Sequence, residues 1–212
     1  MTALRIDADE RIGLMETNTN RMLEEIIAAG MGRCMDKLSR SSAGKWSMAG
    51  ISVFRRSLDE VLSGHAAPPG ARAVVYFEIS GEYPFTSLVA FRSEDLEIIS
   101  RGFLGIPFSK LPTLNQPELL FSELGNIILN AFIGALSNAL RHSFLPPAPK
   151  CVLGEPQYLL EALWMTLDPK QLHNVATVTL DLRCDSVVTR IEVIAVISES
   201  LERALVAAEK TR

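Results

Sequence analysis

Cysteine is scarce in this chain, and what there is does not pair. Cys34, Cys151 and Cys184 are odd in number, far apart and form no C-x-x-C unit, which leaves neither a disulfide framework nor a cysteine-based zinc site. Three buried, reduced thiols are expected, as suits a cytoplasmic protein. Histidine is as rare: His65, His142 and His173 have no metal-ligand spacing among themselves or with the cysteines, so no resident metal is expected. Neither sign of charge dominates. With 21 basic and 25 acidic residues the formal net charge is -4, which argues against a broad nucleic-acid or anionic-membrane surface. The opening "MTALRIDADERIGLM" lacks the apolar run of a signal peptide. The most apolar stretch, 119–136, carries Glu123, Asn126 and Asn130, and reads as a buried helix rather than a membrane span.

Several catalytic signatures are missing as well. Gly44-Lys45 has neither the Ser or Thr nor the upstream glycine of a phosphate-binding loop. Gly30-Met31-Gly32 lacks the third glycine of a dinucleotide fingerprint and follows no strand. There is no G-x-S-x-G elbow.

What is present is a chain of 212 residues, 48% of them hydrophobic, enough for a sizeable core. "NRMLEEIIAAGMGRCMDKLSR", 20–40, has apolar side chains at near-helical period, and residues 7–17 are expected to form a short preceding helical arm. Gly30 and Gly32 each cost such a helix about 1 kcal/mol relative to Ala, unless close packing or function offsets it. "KWSMAGISVFR" reads as a strand, "SLDEVLSG" as a short helix capped by Ser57, and "HAAPPGAR" as a loop. "AVVYFEIS" and "FTSLVAF" flank "GEYP" as a hairpin. "SEDLEIIS" reads as a helix with Ser93 at its N-cap. A long helix is expected from about 115–118 to about 143, another over 156–166. "NVATVTLDLRC" and "VVTRIEVIAVI" form a second hairpin, and "SESLERALVAAEK" a closing helix.

That order repeats. Setting Glu25 on Glu123 lays "EIIAAGMGRCMDKLS" over "ELGNIILNAFIGALS" at an offset of 98, and "FRSEDLEII" lies over "VISESLERA" at 105. With no linker or low-complexity segment between them, residues 1–212 read as one domain built of two repeats, about 18–105 and 106–212. The expected fold is α/β (α+β): a pseudo-twofold duplicated unit, with an antiparallel sheet of about six strands and helices on one face.

The long helix carries a polar stripe. Glu123, Asn126, Asn130, Gly134, Ser137 and Arg141 fall within about 80° on a helical projection. Residues i and i+3 sit about 5–6 Å apart at Cβ, so Glu123 and Asn126 can act on one ligand. The same stripe also serves as the solvated edge of a buried helix.

Glu123 and Asn126, then twenty-two residues, then Pro149, together with "SELGNIILNAFIGALSNAL", resemble the chemotaxis phosphatases of the CheC/CheX/FliY family. In those, Asp or Ser is followed by three residues, Glu, two residues, Asn, twenty-two residues and Pro. The first-half helix and the hairpin "VVYFEISGEYPFTSLVAFRSED" resemble that family's other copy and its sheet. The resemblance implies an aspartyl-phosphate phosphatase acting on a phosphorylated CheY-type response regulator. Asn126 would hold the hydrolytic water and Glu123 would dock on the partner's lysine. Asn130 and Ser137 would contact the partner, and Pro149 would shape the chain after the helix. Mg²⁺ would arrive with the phosphorylated partner, and no cofactor of its own is implied.

The pattern is not complete. Leu119 stands where the family has Asp or Ser, with Glu118 and Ser122 as possible substitutes. In the first copy Glu25 remains but Ala28 replaces the amide and Ile51 the proline, so that copy is expected to be a degenerate second site. The resemblance also allows a catalytically weak adaptor that binds a response regulator or a CheD-type deamidase. A structural subunit of a flagellar switch is a third reading, and the chain fits a monomer or a homodimer.

Overall fold

The computed structural model describes residues 8–57, 71–111, 116–153 and 173–209, with the single positions 60, 158, 161, 162 and 165. Among the described residues four α-helices and six strands run in the order α1 (Ala8–Ser41), β1 (Trp46–Ser57), β2 (Ala71–Ile79), β3 (Phe85–Arg92), α2 (Leu96–Leu104), α3 (Gln116–Leu140), β4 (Lys150–Leu153), β5 (His173–Cys184), β6 (Val187–Ser198) and α4 (Glu199–Glu209). The strands make one antiparallel sheet in the order β1-β5-β6-β3-β2-β4. This order reads the same when β1, β2 and β3 exchange places with β4, β5 and β6. Each half runs helix, three strands, helix.

Alternation decides which side of the sheet is core. Ala73, Val75, Phe77 and Ile79 of β2, Val89 and Phe91 of β3, Val178 and Leu180 of β5, and Val193 and Ala195 of β6 face the helices and are buried. β3 sits in the middle and is buried from Phe85 to Phe91, which is why "FTSLVAF" is apolar on both faces. α1 lies on β1 and α3; α3 lies on β2, β3 and β4; α2 and α4 complete the same layer. One cluster of buried side chains joins all four helices to the sheet.

α1 and α3 cross closely and run antiparallel. A Cβ on Gly30 would stand 2.8 Å from Ala135 Cβ and 3.0 Å from the Ala131 carbonyl. One turn on, Cys34 Sγ donates to the Ile127 carbonyl at 3.8 Å. Gly30 is thus a close-approach residue. Gly32 has nothing within 4 Å of a built Cβ, so packing does not explain it.

Several expectations shift. The 7–17 arm and the 20–40 helix are one continuous α1, since no breaker separates them. Ser57 is the last residue of β1 rather than a cap, and the rest of the short helix expected after it falls mostly outside the described residues, as does the 156–166 helix. Ser93–Asp95 forms a 3-10 turn and Asp95 is the N-cap residue of α2. α2 then runs on to Leu104, where Gly105 at φ 76° donates its N–H to the Arg101 carbonyl at 2.8 Å. β4, which supplies the sixth strand, is an edge strand pairing Val152 with Val74 and Cys151 with Val75. α3 stops at Leu140 because Arg141 turns left-handed at φ 51° and His142 N–H returns to the Ser137 carbonyl at 3.1 Å. That is a Schellman ending with arginine where glycine is usual.

Candidate functional site

The site is the solvent-facing stripe in the first half of α3. Its seat is set by Gly125: a Cβ there would come within 2.6–2.9 Å of three Val75 side-chain atoms. The glycine in "E-L-G-N-I" therefore lets the helix backbone lie directly on β2. Leu124, Ile128 and Leu129 bury beside it, and the polar side chains emerge opposite. Glu123 and Asn130 are exposed and Asn126 is half-buried.

Asn126 is held. Asn130 Nδ2 donates to the Asn126 backbone carbonyl at 2.8 Å and to its Oδ1 at 2.7 Å. Glu123 has no ion pair among the described residues. Leu119 lies on the same line, one turn before Glu123, and is 69% exposed. The substitutes for its position turn elsewhere. Ser122 hydrogen-bonds Cys151 on β4, and the negative charge of exposed Glu118 is near enough to act on that thiol. Burial pushes the Cys151 thiol above its ordinary value, with the Ser122 hydrogen bond opposing.

Farther along, Ser137 is half-buried and its Oγ accepts the Phe144 N–H at 3.3 Å, which ties the chain back onto the end of α3. Pro149 lies immediately before β4 and is half-buried. In the first half, Glu25 is exposed but paired with Arg21 Nε at 3.2 Å, and Ala28 is half-buried beside it. Its neighbour Glu24 turns inward and accepts the Val53 N–H at 3.0 Å.

One surface feature escaped the sequence reading: a groove along the last turns of α1, lined by Arg33, Asp36, Lys37, Arg40 and Ser41. The basic residues at 33, 37 and 40 recur at helical spacing, which was a readable signal. By length and composition Glu118–Leu140 is apolar enough to cross a membrane, but 61% of its apolar 18-residue window is buried inside the protein. It is the core helix.

No family profile matches the chain, and no curated protein does. Solved structures do. FliY of Thermotoga maritima superposes with a TM-score of 0.65 at 16% identity, over 92% of this chain and 96% of that one. The FliM middle domain from H. pylori gives 0.55 at 11% identity, over 89% of this chain and 97% of that one. A CheC-like superfamily protein from Shewanella sp. PV-4 gives 0.52 at 11% identity, over 81% of this chain and 96% of that one. This chain has the α+β fold of FliY and CheC-like proteins, a fold that the FliM middle domain shares.

Proposed function

We propose that the protein is a cytoplasmic phosphatase that removes the phosphoryl group from the aspartate of a CheY-type response regulator, with Asn126 as the working group. The observation that carries this is an exposed carboxylate with no ion pair among the described residues, set one turn from a held amide on a helix seated firmly against the sheet. The phosphoryl group, its Mg²⁺ and a lysine belong to the partner and supply most of the electrostatics. What a regulator lacks is a water aligned opposite the leaving oxygen. An amide both donates and accepts and carries no charge, so Asn126 can hold that water without repelling the phosphoryl group.

The water oxygen then bonds to phosphorus as the bond to the aspartyl oxygen breaks. The aspartate leaves with the electron pair, and the water's proton passes to the phosphate released. A hundredfold acceleration requires only about 2.7 kcal/mol at the barrier, within reach of positioning alone. Glu123 is unsuited to act as base, because an anion beside a phosphoryl group repels it and the loose transition state needs little base assistance. It serves as the docking carboxylate for the partner's lysine. Asn130 lies behind Asn126 on the same stripe, while Ser137 marks the far end of the docking edge. The first-half site, with Glu25 tied to Arg21 and Ala28 in place of the amide, is inactive. The palindromic strand order supports reading the chain as two copies of one unit.

The likeness to the FliM middle domain favours a second reading: an adaptor with this fold that binds a response regulator or a CheD-type deamidase without hydrolysing anything. Leu119, an exposed apolar residue in the stripe, suits a docking surface as well as it suits an enzyme. The test is loss of phosphoryl group from regulators of the same genome, with wild type and Asn126→Ala. Acceleration by the wild type, reduced at least tenfold in Asn126→Ala while binding persists, is the expected outcome. Binding without acceleration by the wild type selects the adaptor.

A further inference from the structure

We propose that Asn130 is a positioning residue for Asn126, fixing that amide with its N–H pair turned outward, so that the site meets its ligand as a donor to phosphoryl or water oxygen. This rests on the reading of Asn126 as the working group. Chemistry decides the orientation of both amides. The Asn130 terminal atom 2.8 Å from the Asn126 backbone carbonyl must be nitrogen, because a carbonyl only accepts. The Asn126 atom 2.7 Å from that nitrogen must then be Oδ1, since a second N–H there would face the first. Asn126 Nδ2 is left with both hydrogens unengaged among the described residues, and Oδ1 keeps one lone pair for a water proton.

A second observation points the same way. At the offset that sets Glu25 on Glu123, Ala28 falls at Asn126 and Gly32 at Asn130. A Cβ on Gly32 would meet nothing within 4 Å, so no packing demand keeps a small residue there. The copy that lacks the amide also lacks its holder, as two parts of one device would be lost together. Without Asn130, a half-buried asparagine on a helix surface can rotate at its terminal amide, and its ordering would fall on the encounter with the partner.

Side-chain ¹⁵N–¹H amide spectra of the full chain test the contact without any enzyme assay. Asn126→Ala should move the Asn130 amide pair, and Asn130→Ala should move that of Asn126. Amide pairs that stay in place overturn the inference. Kinetics on a regulator that the wild type dephosphorylates test its consequence. Asn130→Ala, and Asn130→Leu with a similar shape but no donor or charge, should each lower kcat about tenfold at unchanged KM, a positional effect. The double variant should be no slower than Asn126→Ala alone. A raised KM at unchanged kcat, or losses that add, overturns positioning and reduces Asn130 to a docking contact. If the wild type dephosphorylates no regulator, it is the phosphatase reading that fails, and the spectra still decide how Asn126 is held.

Discussion

Glu123 and Asn126 are neighbours on one helix face, yet the proposed chemistry asks different things of them. Removing the Glu123 charge should weaken docking and leave the aligned water alone. Glu123→Gln is therefore expected to raise KM for the phosphorylated regulator about tenfold, with kcat little changed, in steady-state dephosphorylation. A fall in kcat at constant KM would instead make the carboxylate part of the reacting group. Exposure of Glu123 means that the substitution should not alter thermal stability. Leu119 shows the limit of reading single residues. Its apolar character is evident in the sequence, but that it stands out into solvent in line with Glu123 follows from how α3 is seated. Ser122, a plausible replacement for the missing polar element, is occupied with Cys151.

At the scale of elements, α3 is fixed at both ends of its contact with the rest of the fold. Gly125 lies on Val75 so tightly that a methyl group has no room. Gly125→Ala should destabilise the protein by about 1–3 kcal/mol in a denaturant melt, the usual cost of overpacking. Shrinking the partner with Val75→Ala should recover part of the loss, because the two changes share one contact. At the other end, Arg141 adopts φ 51°, a conformation that an L side chain enters at a cost. Arg141→Gly is expected to stabilise by about 0.5–1 kcal/mol, after subtracting the greater unfolded-state freedom of glycine. The same melt reads this out, and a loss of stability would mean that the arginine side chain holds the helix end.

For the whole molecule, the sheet face turned away from the helices carries a charge cluster that sets two opposite pH responses. Asp181 pairs with Arg190 across β5 and β6 at 2.8 Å, and that hydrogen bond holds its carboxyl below the ordinary carboxylate value. Its contribution is present above the unfolded-state value and is lost as pH falls through the lower folded one. Burial pushes Glu192 the other way, against the pull of Arg92 and Arg190. Its ionised form therefore costs stability above the raised folded value, and the cost vanishes below the unfolded one. Thermal melts from pH 3 to 8 should show Asp181→Asn less stable than wild type at neutral pH and converging with it in acid. Glu192→Gln should be more stable at pH 8 and converge near pH 3. Curves that stay parallel across this range would mean that neither carboxyl is coupled to folding.

What the sequence by itself determined is what local pattern can encode. Short apolar runs on either side of turn residues, as in "FTSLVAF" and "VVTRIEVIAVI", marked strands, the 3.6 period of 20–40 and 119–141 marked helices, and the gap between Asn126 and Pro149 carried the family resemblance. Those signals depend on neighbours within a few residues, so they survive without a partner in space. The tertiary structure decided the rest, because the deciding contacts join residues far apart in the chain. "KCVL" has no periodicity to announce a strand and becomes one only by pairing with β2. Gly30 and Gly125 look like helix liabilities until Ala135 and Val75 stand against them. A polar stripe reads identically whether it is a solvated edge or a working surface. Asn130 reaching back to Asn126 is a local, one-turn contact, whereas only with α3 in place does Ser122 turn to Cys151 and Glu123 face solvent with no ion pair among the described residues.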